Sequence, residues 1–133
     1  HITEKGRNAA NLTIMPVGTV LFSTRAPIGK VGIVSKPMCC NQGFKNFIPG
    51  DDLNSVFLYY TLIYNRTFLQ SLGIGTTFKE LSKKAIESLS IAIPSMELQN
   101  KFEMILDQAD KSEFELKQCI DNIDKVIKSL ING

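Results

Sequence analysis

The residues of this chain that could do chemistry are few, and they point away from catalysis. His1 is the one histidine and stands at the first position, so an interior Ser-His or Cys-His pair is not available. Cys39 and Cys40 could supply a thiol nucleophile, but a thiol needs an activating base and none is evident; buried strand cysteines are the better expectation. With Cys119 the cysteines number three, and no metal-ligand spacing is present. Free thiols of this kind fit a reducing cytoplasm. Asp51-Asp52 could be a carboxylate pair or a metal site. They follow Pro49-Gly50 and precede Asn54 and Ser55, however, where a solvated turn that caps a helix explains them. Gly73-Ile74-Gly75-Thr76-Thr77 lacks the Lys-Ser/Thr ending of a phosphate-binding loop, so alone it is a weak anion signal.

A second set of polar residues suits nucleic acid. Amides match adenine edges, and arginine or lysine matches guanine edges, so Arg25, Asn41 and Gln42 are candidates for base contacts, with Arg25 first. Lys30, Lys45, Thr76, Thr77, Lys79, Lys83 and Lys84 are candidates for phosphate contacts, through ammonium groups, hydroxyls and a helix start. The formal charge of +2 hides a split. Residues 1–95 hold ten Lys/Arg against five Asp/Glu, while residues 96–133 hold five against eight. The first part is therefore basic, as a polyanion binder would be, and the last part is acidic.

The elements that must position these groups can be read from pattern. Residues 1–15 look like a loop. Pro16-Val17-Gly18 reads as a turn, Thr19–Thr24 as a strand, and Ala26-Pro27-Ile28-Gly29 as a type I turn into a partner strand, Lys30–Val34. Arg25 and Lys30 then flank a hairpin tip. Gly32 within that strand suggests a bulge or a close backbone approach. Met38–Phe47 gives a third strand. Asn54 or Ser55 caps a helix that runs to Leu72, with Gly73 as its C-terminal cap. Ser82 caps a short helix, Lys83–Ser88. Leu89, Ile91 and Ile93 alternate with Ser90 and Ala92 as a half-buried strand, which Pro94 ends.

The last third carries the strongest periodicity. Phe102, Ala109, Leu116, Ile123 and Leu130 fall seven apart, and Leu106, Ile120 and Ile127 fall on a second line three residues ahead of their neighbours. One seam position, Glu113, is a carboxylate. A helix of this reach is roughly 50 Å long. A domain this small cannot cover such a seam, so the pattern predicts a partner helix; the alternative is a helix folded back on its own core. The expected architecture is α+β: a small β-rich domain with packed helices over residues 1–94, then a long coiled-coil helix over residues 95–133. No apolar run is long enough to span a bilayer.

Four segments resemble type I restriction-modification specificity subunits. Pro16–Gly29, ending Ser23-Thr24-Arg25-Ala26-Pro27-Ile28-Gly29, is similar to their hairpin motif. Asn41-Gln42-Gly43-Phe44 is similar to the Asn-Gln-Gly segment that follows it. Gly75-Thr76-Thr77-Phe78-Lys79-Glu80-Leu81-Ser82 matches a third motif, and Ile91–Gln99 the junction into a long spacer helix. Ser95 stands where a second proline is common.

The resemblance implies a target-recognition domain followed by a spacer helix. It reads double-stranded DNA, does no chemistry itself and binds no cofactor. It directs methyltransferase subunits, which use S-adenosylmethionine, and a restriction subunit, which uses ATP and Mg. In that family two antiparallel spacer helices hold two recognition domains apart, so that a split site is read. Family members carry more recognition-domain sequence ahead of the stretch matching His1, so this chain is expected to be the C-terminal part of one such domain plus its helix. That helix would pair with a second copy or another half-subunit. Two other functions compete: a protein-interaction module whose coiled coil is its whole purpose, and a cysteine-dependent enzyme.

Overall fold

A computed structural model describes residues 3–10, 12–25, 27–75 and 79–132. Its centre is a three-stranded antiparallel sheet of β1 (Val20–Ser23), β2 (Val31–Ile33) and β3 (Phe44–Phe47), in the order β2-β1-β3. Val20 pairs with Ile33 and Phe47, and Phe22 pairs with Val31 and Lys45. Alternation therefore turns Val20 and Phe22 to one face, where both are buried. Helix α2 (Ser55–Tyr64) packs across β1 and β2. Its Leu58 and Leu62 join Val20, Phe22, Ile28, Leu69 and Leu81 in the core. Each such side chain contributes about 1.5–3 kcal/mol by leaving water.

α2 starts at Asn54, whose Oδ1 accepts from the Val56 and Phe57 amides at 2.8 and 3.1 Å. The single helix expected up to Leu72 is instead two. Asn65 breaks it, and α3 (Arg66–Ser71) follows. The Asn65 side-chain amide donates to Thr61 O at 2.8 Å, the kind of local bond with which asparagine competes against continued helix. Gly73 is not a left-handed cap: it follows Leu72, the C-cap of α3, without the positive φ that Gly18, Gly29 and Gly75 adopt. What Gly73 supplies is space: a Cβ there would lie 2.6 Å from Ile28 Cδ1.

Other expectations are corrected too. Residues Glu4–Ala9 form a helix, α1, where a loop was expected. The third strand begins only at Phe44; Met38 makes an isolated bridge to Met15. Gly32 pairs with Leu21 in regular register, and a Cβ there would meet nothing within 4 Å, so it marks neither a bulge nor a close approach. The turn after β1 is closed by Ser23, which accepts the Gly29 amide on its carbonyl at 3.0 Å and the Lys30 amide on Oγ at 2.8 Å. Gly29 has φ of +97°, which favours glycine. Ala26, in the expected type I turn, lies outside the described residues.

The short helix does form as α4 (Lys83–Glu87), with Ser82 Oγ accepting the Ala85 amide at 3.1 Å. Residues 89–93 are not a strand: they run irregularly, and Ile91 and Ile93 are exposed. Their alternation had no neighbouring strand with which to pair. The chain ends in α5 (Met96–Asn132), 37 residues long. Among the described residues no helix is long and apolar enough to cross a membrane.

Candidate nucleic-acid interface

Three separate loops converge on one dipeptide, Thr24-Arg25, at the end of β1. Thr24 is only 1% exposed. Its amide and its Oγ1 both donate to Gly43 O, at 2.8 and 3.2 Å. Its carbonyl accepts the Leu81 amide at 2.8 Å. Arg25 continues as an isolated antiparallel bridge to Glu80, and Glu80 in turn bridges Ile74 through two 3.0 Å bonds. Thr24 and Arg25 thus tie the hairpin to the 41–43 turn on one side and to Glu80 and Leu81 on the other.

The 41–43 turn is built by its own asparagine. Asn41 Oδ1 accepts the Gly43 amide at 2.9 Å, a side-chain-closed turn. A Cβ on Gly43 would sit 3.1 Å from Asn41 Oδ1 and 3.3 Å from Arg25 Nε. The Arg25 side chain therefore lies over this turn, and glycine is what lets it approach. Arg25, Asn41 and Gln42 are all exposed and share one small patch. A planar guanidinium beside two amides is a set of donors and acceptors suited to base edges.

The structure distributes the proposed phosphate contacts unevenly. Lys79 precedes the bridging Glu80, and Lys83 and Lys84 open α4 two residues after Leu81, so these three follow the same junction. All three are exposed. Lys83 also pairs with Glu87 at 3.3 Å. Lys30 is exposed at the far side of the hairpin turn. Lys45 stands apart: it pairs with Phe22, shares the core-facing side of the sheet and is half-buried. Thr76 and Thr77 lie outside the described residues.

The thiols differ from expectation. Cys39 and Cys40 are half-buried but lie outside the strands, and Cys40 Sγ donates to Asn46 Oδ1 at 3.1 Å. Asp51 and Asp52 are exposed in a turn, and among the described residues no cluster of three side chains could hold a metal.

The second candidate surface is α5. Its first turns are rooted in the domain. Phe102 packs edge-to-face on Phe57 and Tyr60, with ring centroids 6.0 and 5.7 Å apart. Phe102, the first residue of the predicted seam, is thus occupied by its own domain, and Leu106 is half-buried. From Asp107 to Ile131 every residue is exposed, Ala109 included. Leu116, Ile120, Ile123, Ile127 and Leu130 are 46–77% exposed. The helix does not fold back on the core. Glu113, the seam carboxylate, accepts from Lys117 Nζ at 2.6 Å. That hydrogen bond first, and the charge of Lys117 second, hold the Glu113 carboxyl below the usual range and the Lys117 ammonium above it.

Two features were not legible from residue types alone. One is Thr24 as the knot of the site. The other is a polar joint at the root of α5, formed by Asn54, Gln99 and Glu103. Its signal in the sequence was Gln99, a polar residue seven positions before Leu106 and so on the seam line.

A small sheet bearing a polar loop junction thus carries a long helix whose apolar seam is exposed. The family model described as type I restriction modification DNA specificity domain matches residues 1–125, and the chain belongs to that family. It is 41% identical over 113 residues to the type I restriction enzyme MjaIX specificity subunit of Methanocaldococcus jannaschii, covering 83% of this chain and 26% of that protein. To the HindI specificity subunit of Haemophilus influenzae it is 27% identical over 140 residues, covering 100% of this chain and 30% of that protein. The HsdS subunit from Thermoanaerobacter tengcongensis superimposes with a TM-score of 0.63 at 27% identity, over 80% of this chain and 25% of that one. A chain from a structure of a type I R-M system, solved for its complex assembly and conformational transition, gives 0.68 at 28% identity, over 89% and 29%. The chain therefore spans 25–30% of the length of these relatives.

Proposed function

We propose that this chain is a DNA-reading unit of a type I restriction-modification specificity subunit, and that it directs methyltransferase and restriction subunits to a bipartite site without doing chemistry itself. The observation that carries the proposal is the Thr24 junction. It gathers Arg25, Asn41 and Gln42 into one exposed patch, with Lys79, Lys83 and Lys84 beside the loop that completes it. Arg25 takes a base edge, the two amides follow, and the lysines hold phosphates. Lys30 extends that backbone track, and Thr76 and Thr77 are further candidates by residue type and motif. Lys45 ranks last, because its half-buried place on the core side favours a structural role. S-adenosylmethionine and ATP with Mg belong to the partner subunits in this reading, and the assembly works in the cytoplasm, where the DNA is.

The exposed seam of α5 supports a second spacer helix as a further partner. One flank of the seam is Ile105, Ser112, Cys119 and Val126; the other is Glu103, Asp110, Lys117 and Asp124. In a parallel pair of two such helices unlike flanks meet, setting charge against apolar surface. In an antiparallel pair like flanks meet. The apolar flanks then bury each other, and Lys117 of one helix can face Asp110 or Asp124 of the other. Two copies of α5 are therefore expected to pair antiparallel.

The test is DNA binding by the intact protein across a salt series, together with mapping of the bases methylated when its methyltransferase partner is present. Affinity that falls steeply with salt, and one methylated split sequence, are the expected results. Helix pairing without any salt-dependent DNA binding would leave a pure interaction module and overturn the proposal.

A further inference from the structure

We infer that Asn54, Gln99 and Glu103 form a rigid coupling that fixes the angle between the reading domain and α5, and that they are positioning residues for the gap at which a split DNA site is read. The spacing role rests on the DNA-reading function proposed above; the coupling itself does not.

Gln99 is fully buried, at 0% exposure. Its Oε1 accepts the Asn54 amide at 2.8 Å, and its Nε2 donates to Asp52 O at 3.0 Å and to Pro94 O at 2.8 Å. Both amide donors are used, so the side chain is held in one orientation. Asn54 works in two directions. Its Oδ1 caps α2, while its Nδ2 donates to Glu103 Oε2 at 2.7 Å and Asn100 Oδ1 at 3.2 Å, both on α5. One asparagine therefore starts one helix and clamps another.

An apolar contact such as Phe102 on Phe57 is non-directional and tolerates sliding or pivoting. Hydrogen bonds have angular requirements, and a fully satisfied polar network rigidifies what it joins. Leverage makes that angle matter. A helix of 37 residues is about 55 Å long, so a 5° pivot at its root moves its far end by about 5 Å. One base-pair step of duplex is only about 3.4 Å. A joint held by packing alone would blur the gap by more than one step.

The decisive variant is Asn54→Asp. It keeps the oxygen that caps α2, so the domain stays folded, but it removes the donor to Glu103 and sets two carboxylates against each other. Adding Glu103→Gln restores a donor across the same contact. Spin labels at Q118C, on the face of α5 away from the seam, and at K36C, with Cys39→Ala, Cys40→Ala and Cys119→Ala, report the domain-to-helix distance by pulsed electron resonance in the intact protein, diluted with unlabelled protein. The unaltered joint should give one narrow distance, Asn54→Asp a broad distribution, and the double variant a narrow one again. With the methyltransferase present, Asn54→Asp should raise methylation of sites one base pair longer or shorter in the gap, relative to the natural site, by about tenfold. An unchanged distance distribution, or broadening that Glu103→Gln fails to reverse, overturns the coupling. Broadening with gap preference intact overturns the spacing role. Absence of DNA reading in the unaltered protein sinks the function proposed above, while the distances still decide the joint.

Discussion

Arg25 owes its candidacy to its neighbours. Its own backbone bridges Glu80, Thr24 beside it carries the bonds to Gly43 and Leu81, and its side chain lies over Gly43 next to Asn41. The fold work belongs to Thr24, which leaves the arginine side chain available. Arg25→Ala should therefore leave the thermal midpoint nearly unchanged, cost about 1–3 kcal/mol of specific binding and relax the methylated sequence at one position. Unaltered affinity and an unaltered methylated sequence would assign Arg25 to the hairpin instead. Gly73 makes the opposite case. Gly73→Ala forces a methyl against Ile28, a core residue, and should cost about 1–3 kcal/mol of stability in urea unfolding, with no change in the sequence read.

In the proposed function the elements divide the labour between reading and measuring. The sheet and α2 make the core, and the loops at one end of β1 make the patch. α5 leaves that body after its first turns and presents its seam to whatever covers it. Ile120→Asp places a charge in the middle of that seam. It should weaken helix association by about 3 kcal/mol, seen as a shift to monomer in sedimentation, while the domain melts as before. Survival of the pairing would mean that the seam is misassigned. Glu113 tests the same element through pH. Its carboxyl is held low by Lys117, so its contribution is present above the unfolded carboxylate range and is lost as pH falls through the lowered folded value. The pair is fully exposed, so this effect on α5 helicity should be small and should vanish with Glu113→Gln.

At the scale of the whole molecule, charge and shape act together. The basic portion, residues 1–95, sits at the root of an acidic rod, so in the proposed function duplex is attracted to the head and not to the helix. Removing phosphate contacts should show as a change of salt slope rather than of sequence preference. Lys83→Ala with Lys84→Ala should reduce the slope of log affinity against log salt by about 2 and weaken binding to all sequences alike. A slope that does not move would take α4 out of the interface. The three motifs that meet at Thr24 are far apart in the chain, so no deletion of a single one is expected to leave the other two in place.

The long helix α5 was legible in the sequence, because a heptad repeat depends only on spacing along one helix, but the packing of Phe102 on its own domain was not. The caps at Asn54 and Ser82 were legible for the same reason: an N-cap is satisfied within a few residues. The candidate site residues could be named from type and motif, but their assembly could not. Arg25 meets Asn41 only because β1 ends where Thr24 can bond both Gly43 and Leu81. Lys45 went the other way because β-register turned it toward the core. The strand expected over Leu89–Ile93 failed because alternation specifies a face but not a pairing partner. The use of Gln99 as a buried joint likewise depended on the Asn54 amide and the Asp52 carbonyl, brought from elsewhere in the chain. Local chemistry settles what the helices are; long-range hydrogen bonds settle what they hold, and at which angle.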